Sequence, residues 1–445
     1  MTRTIGASPS IGIDFGTTNS SVAFVRESGE SPRTELATYP FMGALTDSYR
    51  SLLYLEQAKE AGRDTLKSWT GPAGIERYLD AENKGRLIQS LKSVLSSRTL
   101  KTTEVFGRRR TLEELVARIL KDLRGFAEQQ FGVSVRSAVV GRPVQFVGAE
   151  SEDGNQYAEG RLREAFRLAG FDAVEFELEP IAAAYYYEST LEKDELILIG
   201  DFGGGTSDFS LIHVGPAIRR RGRKPEDLLG SAGVGIAGDA FDAKIVRKLV
   251  SPALGAGTQM QAVDKMLPVP VWVYANVEKW HHLSFLRTKE VLNMLRSVEA
   301  QALEPEKIAA LLHLIREDLG YQLHRSVQAV KCELSEHSSG TFQFSDGVVN
   351  LEEKVNRDTF ESWISPELNQ IGECVDGLLK RCNVRPEQVD KVFLTGGSSF
   401  VPAVRRIFEL RFGADRIRAG NEFTSVARGL ALKGRGSRSA RTGLL

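Results

Sequence analysis

Residues 11–22 read IGIDFGTTNSSV, and residues 197–210 read ILIGDFGGGTSDFS. Each stretch predicts an apolar strand that ends in Asp-Phe-Gly, then a turn of small and hydroxyl residues, and then a second strand. The two aspartates, Asp14 and Asp201, lie 187 positions apart (201 − 14). This repetition indicates two copies of one strand–turn–strand unit, and it predicts a duplicated α/β fold.

The composition of both turns favours an anion-binding site. Backbone N–H groups are uncovered in a turn of Gly, Thr and Ser, so they can point at a phosphate group. An aspartate at the end of the first strand can hold a hydrated Mg²⁺ beside that anion. The pair of turns therefore predicts two lobes that close on one polyphosphate. The alternative for either turn alone is an ordinary glycine-rich loop.

Further segments repeat in the same order after each hairpin. They are the strands 135–142 and 391–397, the helices 159–169 and 402–411, and the helix starts 179–184 and 424–429. The second half is longer, and we place its extra residues at about 251–320, because prolines interrupt the pattern there before helical periodicity resumes.

The domain organisation follows from this duplication. We expect an N-terminal lobe at residues 10–195, a C-terminal lobe at residues 196–432 and a basic flexible tail at residues 433–445. A chain of 445 residues is long enough for two domains that each bury a core. The tail is predicted from its content of Gly, Ser and Arg.

The composition excludes several functional classes. Lys plus Arg and Asp plus Glu both number 58, so no overall field favours nucleic acid. The basic clusters at 108–110 and 219–224 lack interleaved aromatic residues and indicate solvated loops. The three cysteines show no CxxC spacing, so neither a disulfide framework nor a zinc site is indicated. No apolar run reaches the length of a membrane span. We therefore expect a soluble cytoplasmic protein with no nucleic-acid or membrane partner; a monomer is favoured.

Residues 321–336 predict an amphipathic helix. Its buried stripe is predicted to consist of Leu323, Val327, Val330 and Leu334. The adjacent face carries Gln328, Lys331, Cys332 and Ser335. Spacing alone favours a surface face without a role.

In their order along the chain, these motifs resemble the nucleotide-binding domain of the seventy-kilodalton (DnaK-like) heat-shock chaperones. The paired hairpins carry the resemblance together with Glu179-Pro180, residues 238–242 (GDAFD) and residues 394–398 (LTGGS). It covers residues 10–432 and is greatest to the short YegD-type members. The resemblance implies a duplicated actin-like ATPase fold, related to ribonuclease H, with two lobes around a nucleotide cleft. It also implies ATP or ADP with Mg²⁺ as ligands.

The resemblance implies roles at matching positions. Asp14 and Asp201 would hold the metal ion, and Asp208 would orient or deprotonate the attacking water. Glu179 would organise water and metal, and Lys92 would stabilise charge on the γ-phosphate. The residues implied to hold the phosphates are Gly16, Thr17, Thr18, Asn19, Gly203, Gly204, Gly205 and Thr206. Those implied around the adenosine are Gly238, Asp242, Gln328, Lys331, Ser335, Gly396, Gly397 and Ser398.

Three positions depart from the family pattern. Gln328 stands where the family carries Glu, and Phe423 stands where it carries Asp. Cys332 stands where an Arg stacks on adenine, and a thiol supplies neither the cation nor the planar contact. Such contacts contribute roughly 0.5–2 kcal/mol, so we expect nucleotide binding to be several-fold to more than tenfold weaker unless another residue covers the base.

The preferred hypothesis is a slowly hydrolysing ATPase whose lobes act as a nucleotide switch for a client or co-chaperone protein. The sequence passes into its basic tail without the β-sandwich that grips peptides in full chaperones of this family, so we expect no peptide-binding domain. The alternatives are a small-molecule kinase of the same superfamily, and an actin-like filament or scaffold protein. The motifs at 179–180 and 238–242 favour the chaperone branch.

Overall fold

A computed structural model describes residues 10–26, 33–60, 63–81, 85–149, 151–188, 191–262, 265–279, 282–283, 286–419 and 425–442. They form two compact units. The first contains the described residues up to Ala237, Gln370–Ser399 and those from Arg405 onward, and the second contains Gly238–Asn369 and Phe400–Val404. This division differs from the lobe boundary predicted at residue 195, which stays a prediction.

The secondary structure alternates strands and helices. In chain order the strands are β1 (Ser10–Phe15), β2 (Asn19–Arg26), β3 (Arg33–Leu36), β4 (Tyr39–Phe41), β5 (Ala44–Thr46), β6 (Tyr49–Arg50), β7 (Leu52–Glu60), β8 (Arg63–Thr70), β9 (Arg86–Gln89), β10 (Thr102–Val105), β11 (Arg108–Thr111), β12 (Ser137–Arg142), β13 (Ala173–Leu178), β14 (Glu195–Phe202), β15 (Ser207–Val214), β16 (Leu228–Val234), β17 (Gln259–Ala262), β18 (Lys265–Pro268), β19 (Ser339–Ser345), β20 (Asn350–Asn356), β21 (Lys391–Thr395) and β22 (Ile417–Ala419). The α-helices are α1 (Gly71–Asp80), α2 (Leu112–Phe131), α3 (Glu152–Leu168), α4 (Glu179–Glu188), α5 (Pro216–Arg221), α6 (Gly238–Ile245), α7 (Ser251–Ala253), α8 (Val271–Val277), α9 (Lys289–Glu299), α10 (Pro305–Arg316), α11 (Gly320–Glu336), α12 (Arg357–Arg381), α13 (Pro402–Phe412) and α14 (Ser425–Thr442). The α/β class predicted from the sequence is confirmed.

The first unit contains two sheets with the same topology. One has the order β13-β12-β1-β2-β3, with β6 paired to β2, and the other has the order β16-β15-β14-β21-β22. In both, the central strand pairs antiparallel with the next strand of its hairpin and parallel with the strand on its other side. The outermost pairs also match, antiparallel on one side and parallel on the other. The identical order confirms the duplication that the paired hairpins predicted.

Close helix packing covers the first sheet. A side chain at Gly12 on β1 would collide with the backbone of α14, and a side chain at Gly429 on α14 would collide with the backbone of α4. Both positions therefore require glycine, because only hydrogen leaves room for the two backbones to approach. Helix α2 begins at a capping box between Thr111 and Glu114 and ends at Gly132, whose φ of 68° is left-handed.

The second unit contains the hairpins β17–β18 and β19–β20 with helices α6 to α11. The stripe predicted along α11 is confirmed, since Leu323, Val327, Val330 and Leu334 are all buried. Throughout the described ranges, no helix combines the length and apolar character that crossing a membrane requires.

The C-terminal end of the chain differs from the sequence prediction. Helix α14 runs to Thr442, past Lys433, where the sequence analysis places the start of a basic flexible tail; that tail stays a prediction. The Lys433 ammonium lies 2.6 Å from a carboxylate oxygen of Glu175 and 2.9 Å from one of Glu177 on β13. Gly434 packs against Ser10 at the start of β1. These tertiary contacts continue the helix through a stretch whose composition indicates disorder.

Candidate functional site

The two hairpins place aspartates at equivalent positions. Asp14, one residue before the end of β1, faces Ser21 on β2. Asp201, one residue before the end of β14, faces Asp208 on β15. The second turn is closed by a hydrogen bond of 2.9 Å from the Gly203 N–H to the Thr206 carbonyl. Both turns have the short, polar form that the sequence predicted.

The two turns lie close together in the first unit. A Cβ built on Gly205 would lie 3.9 Å from the Thr17 hydroxyl oxygen. In the first turn, a side chain at Gly16 would collide with the carbonyl oxygen of Asn19. The backbone of the first turn therefore depends on glycine at position 16.

A third turn packs on the second hairpin. Gly396 has a φ of +86°, and a side chain there would collide with the backbone of Phe202. The Ser398 hydroxyl donates to the Gly203 carbonyl at 3.5 Å. Of the residues implied around the adenosine, those at 396–398 therefore lie against the predicted phosphate-binding turn.

A cluster of four carboxylates and one ammonium lies beside these turns. The Lys92 ammonium is 2.6 Å from a carboxylate oxygen of Glu179, and both side chains are buried, at 7% and 9% exposure. Asp208 is 1% exposed and accepts a hydrogen bond of 2.9 Å from the Val144 N–H. Asp14 and Asp201 interact electrostatically with Glu179. The structure thus brings together all five residues for which the sequence implied a catalytic role.

The single ammonium of this cluster does not balance the charge of its four carboxyl groups. Burial and then the Glu179 carboxylate raise the pKa of Asp14 to about 7, against the opposing effect of Lys92. Burial and Glu179 likewise raise the pKa of Asp208 to about 7. The pKa of Asp201 is raised well above its usual value by burial and by the three neighbouring carboxylates. Burial acts to lower the pKa of Lys92, but the surrounding carboxylates outweigh it and raise that pKa.

The residues of this cluster fit a magnesium site. Carboxylate oxygens are preferred Mg²⁺ ligands, and a divalent cation would supply the positive charge that one lysine cannot. Among the described side chains, no group of three or more from His, Cys, Asp and Glu is arranged to hold a metal ion. Mg²⁺ commonly binds through one or two carboxylates, and water and phosphate oxygens complete its shell.

The remaining residues implied around the adenosine lie in the second unit. The Lys331 ammonium is 2.6 Å from a carboxylate oxygen of Asp242, which is buried on α6. The Ser335 hydroxyl donates to the Lys331 carbonyl at 2.9 Å. Cys332 is exposed on the same helix. Gln328 lies on α11, and Gly238 is the first residue of α6. Phe423 lies outside the described residues.

Two supporting residues were missed in the sequence. The Val144 N–H holds Asp208, and the Asn155 side chain accepts a hydrogen bond of 2.9 Å from the Phe146 N–H in the same turn. No local pattern marks the first of these contacts, because Val144 and Asp208 are 64 positions apart.

Comparisons with known proteins bear on this arrangement. The family model described as Hsp70 protein matches residues 80–261 and 315–439, more than half of the chain. The chain is 25% identical to the chaperone protein DnaK of Thermosipho africanus over 424 residues, covering 95% of this chain and 58% of that protein. It is 25% identical to a DnaK of Thermus thermophilus over 433 residues, covering 95% and 60%. For DnaK of Thermotoga petrophila the identity is 24% over 429 residues, covering 95% and 58%. The chain thus spans less than two thirds of the length of these relatives.

Proposed function

We propose that this chain, which belongs to the Hsp70 protein family, binds ATP with Mg²⁺ and hydrolyses it slowly. The family has the actin-like ATPase fold, and the two sheets of equal topology agree with it. The observation that carries the proposal is the cluster of Asp14, Lys92, Glu179, Asp201 and Asp208 beside two turns that are rich in glycine and threonine.

Each group of the cluster suits one part of phosphoryl transfer to water. The turn amides bind the phosphates, and Asp14 and Asp201 would hold a hydrated Mg²⁺ beside them. An ion at that position would supply positive charge to the phosphate oxygens. Lys92 stabilises the negative charge that develops on the γ-phosphate, and Glu179 fixes the position of its ammonium.

Asp208 is the group that orients the attacking water and accepts its proton. Its pKa of about 7 suits a base that works near neutral pH. The water oxygen forms a bond to the γ-phosphorus, the bond from that phosphorus to the β–γ bridging oxygen breaks, and ADP leaves. The hydrogen bond from the Val144 N–H holds one oxygen of Asp208 in place.

We assign this ATPase the role of a nucleotide switch for a partner protein. The relatives are named chaperones, and this supports a client or co-chaperone as the partner. Limited proteolysis with ATP and with ADP tests the switch. Different cleavage patterns are expected, and identical patterns with both nucleotides bound would contradict it.

Calorimetry and phosphate release test the ATPase. The wild-type protein is expected to bind Mg²⁺–ATP and to release phosphate, whereas Asp208→Asn binds but hydrolyses about 10²–10³-fold more slowly. Asp172→Asn is the matched control, because it removes the same charge from an exposed side chain. The absence of binding at millimolar ATP would refute the proposal.

The same preparations separate the two alternatives. A kinase would release ADP faster than phosphate when its acceptor is present, whereas an ATPase releases the two in equal amounts. An actin-like filament would sediment in the presence of ATP, whereas a switch protein stays in the supernatant.

A further inference from the structure

The segment that carries Lys92 has little regular structure of its own. Lys92 lies in a single 3₁₀ turn, Leu91–Val94, which Ser90 precedes with a left-handed φ of 52°. The Leu95 N–H donates to the Lys92 carbonyl at 3.3 Å. Residues 95–101 then continue to β10 without a further helix. One such turn does not by itself hold a buried ammonium in a fixed position.

Arg161 on helix α3 forms hydrogen bonds to the backbone of this segment. The buried guanidinium of Arg161 donates to the carbonyl oxygens of Leu95, Ser97 and Leu100 at 3.3, 3.1 and 3.2 Å. Its Nε pairs with Glu113 on α2. A planar group with five donors can satisfy several acceptors at once, and a lysine cannot reproduce that arrangement.

A second contact joins the same segment to the same helix. The guanidinium of Arg98 lies 4.7 Å from the ring centroid of Tyr157, and that of Arg161 lies 5.6 Å from it. The Tyr157 ring on α3 therefore contacts both an arginine of the segment and the arginine of the helix. Helix α3 thus contacts the segment at the Arg98 side chain as well as at three backbone carbonyls.

We propose that Arg161 is a positioning residue that fixes Lys92 for the reaction. The path runs from the guanidinium through the Leu95 carbonyl and the hydrogen bond between Leu95 and Lys92 to the ammonium beside Glu179. Misplacement of a reacting group by about 1 Å can cost about a hundredfold in rate. The inference rests on the proposed ATPase function.

A double-mutant cycle tests whether Arg161 acts through Lys92. Arg161→Lys keeps the charge near Glu113 and is expected to lower kcat about tenfold or more, with the KM for ATP changed less than about twofold. Lys92→Ala lowers kcat further, and Arg161→Lys has no additional effect in that background. Arg163→Lys is the matched control, because Arg163 lies on the same helix with its side chain 50% exposed; its kcat stays at the wild-type value.

A chemical measurement on the ligand-free proteins is independent of ATP. Acylation of lysines by an N-hydroxysuccinimide ester, followed by mass spectrometry, reports how fast Lys92 is modified. Lys92 is expected to be modified about tenfold faster in Arg161→Lys than in the wild type or in Arg163→Lys, because its burial and its ion pair depend on the held segment.

The outcomes separate the two proposals. Equal acylation rates in Arg161→Lys and wild type would overturn the positioning role, whether or not the protein hydrolyses ATP. Independent, multiplicative effects of the two substitutions on kcat would also overturn it, because they would mean that Arg161 acts elsewhere. A wild-type protein without ATP hydrolysis but with the expected acylation contrast would refute the ATPase alone, and the control of Lys92 by Arg161 would stand.

Discussion

Replacing Asp208 with Asn should stabilise the ligand-free protein at alkaline pH. The Asp208 carboxyl is buried, and its pKa is raised from 3.8 to about 7 by burial and by Glu179. An amide of similar shape keeps an oxygen for the Val144 N–H but carries no charge. The substitution therefore removes the cost of ionising this group inside the protein.

The magnitude follows from the shift in pKa. A pKa that is higher in the folded state means that the folded protein retains a proton that the unfolded chain has lost between pH 3.8 and about 7. Stability therefore falls as the pH rises through this window, and it stays low above it. At 1.36 kcal/mol per pKa unit, the whole window is worth about 4 kcal/mol, and the part between pH 5 and pH 8 is worth about 3 kcal/mol.

The assay is urea denaturation in EDTA at pH 5 and at pH 8. The wild-type free energy of unfolding should fall between the two pH values by about 3 kcal/mol more than that of Asp208→Asn. Asp172→Asn serves as the control, because it removes an exposed carboxylate, and it should follow the wild type. The reasoning fails if Asp208→Asn and the wild type lose the same stability between pH 5 and pH 8.

Three further outcomes are expected. Asp201→Asn and Thr206→Val should each slow phosphate release about 10²–10³-fold while thermal unfolding shows a folded protein, and wild-type rates in both would place the active site elsewhere. Cys332→Arg should tighten ATP binding about fivefold, roughly 1 kcal/mol, because it supplies a guanidinium that can stack on the base. In calorimetry, weaker binding would indicate a clash, and an unchanged dissociation constant would mean that residue 332 does not face the base. Gly16→Ala should cost about 1–3 kcal/mol in denaturation, because its Cβ would collide with backbone across the turn, whereas Gly125→Ala on exposed helix surface should be neutral or stabilising.

The hairpins could be predicted from sequence because their signals are local. The apolar strands, the Asp-Phe-Gly ends and the small residues of residues 11–22 and 197–210 lie within one short stretch each. The buried stripe of α11 was equally accessible from its 4-3-4 spacing. The C-terminal end of α14 could not be predicted from the sequence, because the Lys433 ammonium pairs with carboxylates more than 250 positions away.

The site was predictable only where a motif carried it. Lys92 entered the prediction by resemblance, and the structure brings its ammonium to Glu179, 87 positions away. Nothing in the residues around Arg161 indicates that it reaches three carbonyls more than 60 positions earlier. Contacts of this kind depend on how helix α3 packs, and a single sequence gives no local signal for that packing.

The duplication of the fold is symmetric, but the chemistry on it is not. In each hairpin the aspartate faces the residue seven positions later, which is Ser21 in the first and Asp208 in the second. Only the second hairpin therefore places two carboxylates opposite each other, and this repulsion contributes to the raised pKa of Asp201. The ammonium that offsets part of this charge, Lys92, and its ion-pair partner Glu179 both come from the first half of the chain. A single copy of the repeated unit would hold either the candidate base or the cation, and the proposed reaction requires both in one place.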